Sequence, residues 1–231
     1  MKTIDAISKL VLANKILSQE GILEAFGHVS MRNPENQDEF LLSCSRAPLL
    51  VSEDDIMRHN FDGDVLDKTY KPYAERILHG QIYKSRPDVQ AICHNHAVSL
   101  LPFTTTGTEI KPVIHIGCMF YDGIPLYDDY DVSDGMLIKN ANEGLRIARS
   151  LADKRALLLR GHGVIVVGGS IEEVVMGSIY LSINAEVQFQ SMQLGTPKYL
   201  SYEEARAATE VMYSDFALKR AWDYWQARTN L

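Results

Sequence analysis

Cysteine is scarce in this sequence. Cys44, Cys93 and Cys118 are odd in number and stand in no CxxC spacing. That excludes a disulfide framework and a thiolate zinc knuckle, and fits free thiols in a reducing compartment. There is no stretch of about 18 consecutive apolar residues, so no membrane-spanning helix is expected. Blocks of about five or six basic residues are also missing, and the formal net charge is −7, which argues against a nucleic-acid partner. The N-terminal MKTIDAISKLVLANKILSQEG interrupts its apolar positions with Asp5, Lys9, Asn14 and Lys15. It therefore reads as an amphipathic helix and not as a signal peptide, and a cytoplasmic location is the expectation. With no repeat, low-complexity run or linker, residues 1–231 are expected to form a single domain. One core of that size buries about 70% of the unfolded chain's surface without covalent staples.

What is present is a mixed pattern of helices and strands. Ile4, Ile7, Leu10, Val11, Asn14 and Leu17 fall at helical spacing over 3–19 before Gly21. GHVSMRNP (27–34) and EFLLSCS (39–45) read as antiparallel strands, followed by a hairpin around Asp62-Gly63. A helix is expected over 73–85, a strand over 89–96, a further strand-like run in KPVIHIGCMF and a helix over 137–152. ALLLRGHGVIVVGG (156–169) reads as strand–turn–strand. A long helix over 171–195 is capped by Ser170 and stopped by Gly195, and one C-terminal helix runs from Tyr202 to Asn230. Short connections make the sheet mainly antiparallel, giving an α/β architecture.

Within this pattern, His94 and His96 flank Asn95 in AICHNHAVSL. Alternate residues of a strand share a face about 7 Å apart along the chain. The pair reads equally as two ligands of one divalent cation or as hydrogen-bonded imidazoles on a wet sheet face. His162 sits between Gly161 and Gly163, and reads as a third ligand or as a surface turn histidine. Glu75 in YAERILHG is a carboxylate at a helix start, suited to metal-assisted chemistry or to the helix dipole alone.

GHVSMR, FLLSCSRAP, YAERILHGQIYKSRPDVQAICHNHA and LLLRGHGVIVVGGSIEEVV together resemble the class II aldolase/adducin family, from about residue 5 to about residue 195. The resemblance implies a three-layer α/β/α sandwich around a central, mostly antiparallel sheet. It implies His94, His96 and His162 as metal ligands, with Glu75 as the acid/base carboxylate that also approaches the metal. It also implies one divalent ion per subunit (Mn²⁺ or Zn²⁺, with Fe²⁺ also compatible) and a homotetramer with active sites at subunit interfaces.

One scaffold hosts several chemistries, so the departures matter. The sugar-phosphate members carry an Asn in GNVS, a TPTG turn and paired serines before the glutamate. This chain has His28, then Ser43-Cys44-Ser45-Arg46, then Tyr73-Ala74 at those places. A phosphate cradle is lost, and a guanidinium fork suited to a carboxylate is gained. The pattern is similar instead to the decarboxylase branch, which acts on ortho-hydroxy aromatic or heteroaromatic (di)carboxylates such as 3,4-dihydroxyphthalate. On that resemblance Arg46 and Ser45 anchor a second carboxylate, although Arg46 also reads as a surface ion pair. Glu75 is the expected proton donor, with His28 as alternative donor or substrate contact, and His115 is a further candidate contact. Tyr121, Tyr127 and Tyr130 lie in the loop that reaches a neighbouring site in the family, Arg160 reads best as an ion-pair partner, and His59 and His79 look incidental. The acidic residues from Asp122 to Asp134 lack calcium-loop spacing. The alternatives are an aldolase or epimerase acting on a sugar phosphate or sugar acid, and an adducin-like module without catalysis.

Overall fold

The structure is a computed structural model and describes residues 1–229. In chain order its elements are α1 (Thr3–Gln19), β1 (His28–Arg32), β2 (Glu39–Ser43), β3 (Ile56–Asn60), α2 (Arg76–Ser85), β4 (Ala91–Asn95) and α3 (Leu101–Thr106). Then come β5 (Leu126–Tyr127), α4 (Ala141–Leu151), β6 (Ala156–Leu159), β7 (Gly163–Gly168), α5 (Ile171–Leu194), α6 (Tyr202–Met212) and α7 (Asp215–Arg228). The strands form one seven-stranded sheet in the order β3-β2-β1-β4-β7-β6-β5, antiparallel except for the short β5–β6 pair.

Strand alternation sends successive side chains to opposite faces, and here both faces are covered. Val29, Met31, Leu41, Cys93, Val164 and Val166 pack under α1, α5 and α7. Phe40, Leu42, Ile92, Leu157, Ile165 and Val167 pack under α2 and α4, which bury Leu78, Ile82, Ile147 and Leu151 against them. This is the expected α/β/α sandwich with a mostly antiparallel sheet. All three cysteines are free thiols, and no helix among the described residues is long and apolar enough to cross a membrane.

Three expected elements come out differently. KPVIHIGCMF forms no strand: residues 109–113 are extended but take their backbone partners from α5. Asn184 accepts from the Val113 N–H and donates to the Lys111 carbonyl, and Gln188 does the same for Lys111 and Glu109 (2.8–2.9 Å). Two amides one helical turn apart thus replace a neighbouring strand, and His115–Phe120 winds into a 3₁₀ turn. The helix expected over 137–152 begins only at Ala141, because Asn140 caps it by accepting from the Glu143 N–H. The C-terminal helix is two helices, broken at Tyr213-Ser214, where Ser214 is extended and starts α7 as its N-cap residue. The expected end of that helix at Asn230 lies outside the described residues.

His59 on β3 is fully buried and stacked on Phe40 at 5.0 Å between ring centroids, with no side-chain hydrogen-bond partner for either ring nitrogen. Burial first of all lowers its pKa to about 4. A base buried neutral adds no protonation penalty above its unfolded pKa of about 6.5, and stability drains away as the pH falls from there through 4. His59→Phe removes that titration. Urea midpoints of the two proteins should therefore diverge in favour of the variant between pH 6.5 and 4, by at most about 3 kcal/mol; a pH-independent gap would contradict this.

Candidate metal centre and active site

The site is built where β1, β4 and β7 meet at the ends nearest the Gly161–Gly163 turn. His28 and His94 are register partners on adjacent strands and face the α2 layer. β4 ends at Asn95, so His96 lies just past the strand, and its Nε2 comes to 3.1 Å from His94 Nε2. The two rings converge through the strand end and not through simple strand alternation. His162 arrives from the β6–β7 turn, where Gly161 adopts φ +62°. Gly163 permits the approach: a Cβ there would lie 2.3 Å from the Asn95 carbonyl oxygen and 2.8 Å from the His96 ring.

Glu75 is the residue preceding α2, and its side chain caps no helix N–H. It is nine-tenths buried. Oε1 accepts from the Ile138 N–H at 3.1 Å, and Oε2 lies 3.5 Å from His94 Nε2; Oε1 is 3.8 Å from His162 Nε2. The bond to Ile138 is one reason why the chain before Ala141 stays extended. Burial by itself would raise the Glu75 carboxyl, but the His94 imidazole, then His162 and the Ile138 N–H, outweigh it and hold it at about 2. Burial, reinforced by His94, pushes His96 down to about 3 and His162 to about 4, and burial with its histidine neighbours lowers His28 well below the usual range.

One ionised carboxylate therefore faces several imidazoles that resist protonation. The donor atoms of His94, His96 and His162 all lie within 4.8 Å of one another, as do those of His28, Glu75 and His94. His94 Nδ1 lies 3.2 Å from the Val164 carbonyl oxygen, which can only accept, so Nδ1 carries a proton and Nε2 is the atom turned into the cluster. Three imidazole nitrogens and a carboxylate suit a divalent transition-metal ion, and the residues present fit such a group.

A cavity of about 1000 Å³ opens above these side chains. Glu75, His28, His96 and His162 form its floor, and Ser45 and Arg46 stand on its wall. Arg46 forms the ion pair the sequence allowed, with Asp55 at 3.2 Å, and its side chain remains 49% exposed at the cavity. Tyr73, singled out in the sequence as a departure from the sugar-phosphate pattern, lines the space, and so do Lys71, Phe26, Met136 and Leu137, which escaped the sequence reading. Tyr73 packs on the His28 ring at 4.6 Å and donates its hydroxyl to the Arg46 carbonyl.

His115 does not line this cavity; it is exposed at the start of its 3₁₀ turn. Of the three loop tyrosines, Tyr130 comes nearest the histidine cluster, 6.4 Å from the His162 ring between centroids. Tyr127 instead spends its hydroxyl on the Asp129 carbonyl, and Tyr121 lines a separate cavity with Arg86 and Lys154. Arg160 pairs with Asp128, as expected.

His79 is not incidental. It is fully buried, with Nε2 2.7 Å from His28 Nδ1 and Nδ1 2.7 Å from Ser30 Oγ. The sequence carried the signal: Glu75, His79 and Tyr83 recur every four residues, one stripe along α2, opposite His28 and Ser30 on one face of β1.

The family of the Class II Aldolase and Adducin N-terminal domain matches residues 8–189. Among characterised proteins, the chain is 32% identical to Decarboxylase tropJ of Talaromyces stipitatus, across 91% of this chain and 88% of the relative. It is 25% identical to the 3,4-dihydroxyphthalate decarboxylase of Arthrobacter keyseri, across 95% of this chain and 92% of that one. Among solved structures, L-fuculose 1-phosphate aldolase from Glaciozyma antarctica PI12 superposes with a TM-score of 0.83 at 25% identity, covering 98% of this chain and 89% of the other. With its histidine and glutamate cluster in place and four-fifths of its length matched, the chain belongs to the class II aldolase and adducin family, in which it resembles the decarboxylases.

Proposed function

We propose that this protein is a divalent-metal-dependent decarboxylase of an ortho-hydroxy aromatic or heteroaromatic carboxylate, with a second carboxylate on the ring. The observation that carries this reading is the layout of the cavity: cation-binding donors on the floor, and Arg46 with Lys71 on the wall. Such a site holds a small planar dianion by both ends.

His94, His96, His162 and Glu75 would hold the ion. When bound, it supplies Lewis-acid polarisation of a substrate oxygen next to the bond that breaks. Arg46 grips the distal carboxylate with its planar fork, and Lys71 adds charge. Phe26, Met136 and Leu137 offer the apolar surface that a ring needs. Ser45 lies beside Arg46 and orients the same carboxylate. Glu75 is a carboxylate at neutral pH, so it first accepts the substrate's hydroxyl proton. It then returns that proton to the ring carbon as carbon dioxide departs, and the oxygen recovers a proton from solvent.

The reading carries with it a homotetramer whose subunits close the cavity, since in one chain the mouth is wide and Phe26 is 71% exposed. His115 contributes to substrate binding only across such an interface. A second reading, an aldolase acting on a sugar phosphate, draws on the 25% identity to the fuculose-phosphate enzyme. Incubation with dihydroxyacetone phosphate and aldehydes would reveal it.

Three outcomes check the proposal. Chelation should abolish carbon dioxide release from hydroxy-dicarboxylates, with Mn²⁺ or Zn²⁺ restoring it and metal analysis finding close to one equivalent per chain; an unchanged rate in metal-free protein would refute the proposal. Arg46→Ala should raise KM about tenfold to a hundredfold, with a smaller change in kcat, because a charged hydrogen bond to the bound dianion is lost in ground and transition states alike. Gly163→Ala drives a Cβ into the Asn95 carbonyl and the His96 ring, displacing His96 from His162, and should weaken metal affinity more than about tenfold in a competitive chelator titration.

A further inference from the structure

Behind the cavity floor runs a chain of buried hydrogen bonds. His28 Nδ1 meets His79 Nε2 at 2.7 Å, His79 Nδ1 meets Ser30 Oγ at 2.7 Å, and Ser30 Oγ meets the Tyr83 hydroxyl at 2.8 Å. His79 and Ser30 are fully buried, Tyr83 is 1% exposed and His28 3%. The direction of this chain decides what His28 presents to a substrate.

Ser30 has a single proton to give, and His79 and Tyr83 compete for it. If Ser30 gave it to Tyr83, the tyrosine's own O–H would need another acceptor. Ser30 Oγ is the hydroxyl's one hydrogen-bond partner among the described residues. A buried donor without an acceptor is among the costlier features a fold can carry. The opposite direction satisfies every donor behind the cavity floor: Tyr83 gives to Ser30, Ser30 to His79 Nδ1, and His79 Nε2–H to His28 Nδ1. His28 is then left with its proton on Nε2. That nitrogen faces the cavity with Glu75 Oε2 at 3.9 Å, beyond hydrogen-bond range.

We infer that Tyr83, Ser30 and His79 lock His28 as the Nε2–H tautomer, so that His28 serves as a fixed hydrogen-bond donor to a substrate oxygen and not as a proton-transferring acid. The second half follows from where the chain ends. If His28 gave up its Nε2 proton, Nδ1 would need one from His79, His79 one from Ser30 and Ser30 one from Tyr83, leaving a buried tyrosinate. Burial drives the Tyr83 hydroxyl further above its ordinary range, with the hydrogen bond to Ser30 only partly opposing it. Among the described residues, nothing beyond Ser30 is hydrogen-bonded to the Tyr83 hydroxyl to replenish the chain. His28 can thus polarise an oxygen without losing its proton, the role of a preorganised dipole. His79 is a positioning residue that acts through His28.

The tautomer stands apart from the proposed reaction; only the identity of the oxygen that His28 contacts rests on it. The test therefore has two arms. In ¹⁵N-histidine-labelled protein loaded with Zn²⁺, long-range ¹H–¹⁵N correlations should show His28 and His79 each protonated at Nε2 and bare at Nδ1. Ser30→Ala severs Tyr83 from His79 and should leave both rings in mixed tautomers. A His28 proton on Nδ1 in the wild-type protein overturns the inference whatever the enzyme's substrate proves to be. In the activity arm, His28→Gln keeps an amide N–H near the position of Nε2 but has no titratable proton. It should retain kcat within about tenfold, whereas His28→Leu should lose about a hundredfold or more. Equal loss in both variants, with folding intact by circular dichroism, overturns the donor role. Ser30→Ala should lower kcat about tenfold with little change in KM, and an unchanged kcat would assign the chain to stability alone.

Discussion

The structure depends on the burial of more imidazole than carboxylate in one place. His94, His96, His162 and His28 converge around Glu75, which supplies a single negative charge. Burial depresses the pKa values of His28, His96 and His162, and the Nε2 atoms of His94, His96 and His162 are brought close together while His28 keeps its lone pair on His79. Without a cation, such a cluster is a set of mutually uncompensated dipoles. With one, each lone pair has a use. The Val164 carbonyl, the Ile138 N–H and the close approach at Gly163 are devices of the surrounding fold that keep the donors aimed.

The three-layer arrangement explains how residues so far apart in sequence meet. β1, β4 and β7 are neighbours in the middle of the sheet, so His28, His94 and the turn carrying His162 share one end of it. Helix α2 lies across the same face, and with the Glu75 that precedes it contributes the Glu75–His79–Tyr83 stripe. One layer thus presents donors to the cavity, and the helix above it supplies both the carboxylate and the buried chain that orients His28. The histidine–glutamate cluster and the hydrogen-bond chain are two ends of a single interface between sheet and helix.

Above the floor the site changes character. Arg46 and Lys71 are flexible cations at an open mouth, and Phe26, Met136 and Leu137 are loop or turn residues. The floor stands on strands and the end of a helix, the wall on loops, the division of labour by which one scaffold can host several chemistries. The Arg46–Asp55 pair suits this division: Asp55 is buried and tied to Ser52, so it anchors a guanidinium whose other face remains free.

Periodicity, caps and local motifs settled much in the sequence alone. The α1 and α5 boundaries, the strand–turn–strand around His162 and the antiparallel character of the sheet were legible because neighbours a few residues apart dictate them. His94, His96, His162 and Glu75 were legible as a set through their motif context. Tertiary structure decided the rest. KPVIHIGCMF has strand-like composition, yet Asn184 and Gln188, some seventy residues later, take the hydrogen bonds a strand would have used. His79 looked incidental because its partners, His28 and Ser30, lie about fifty residues upstream. His115 looked like a substrate contact and sits on the surface. Local pattern fixes which way a residue faces along its own element; only packing decides what it faces, since a hydrogen bond needs its partner within about 3 Å.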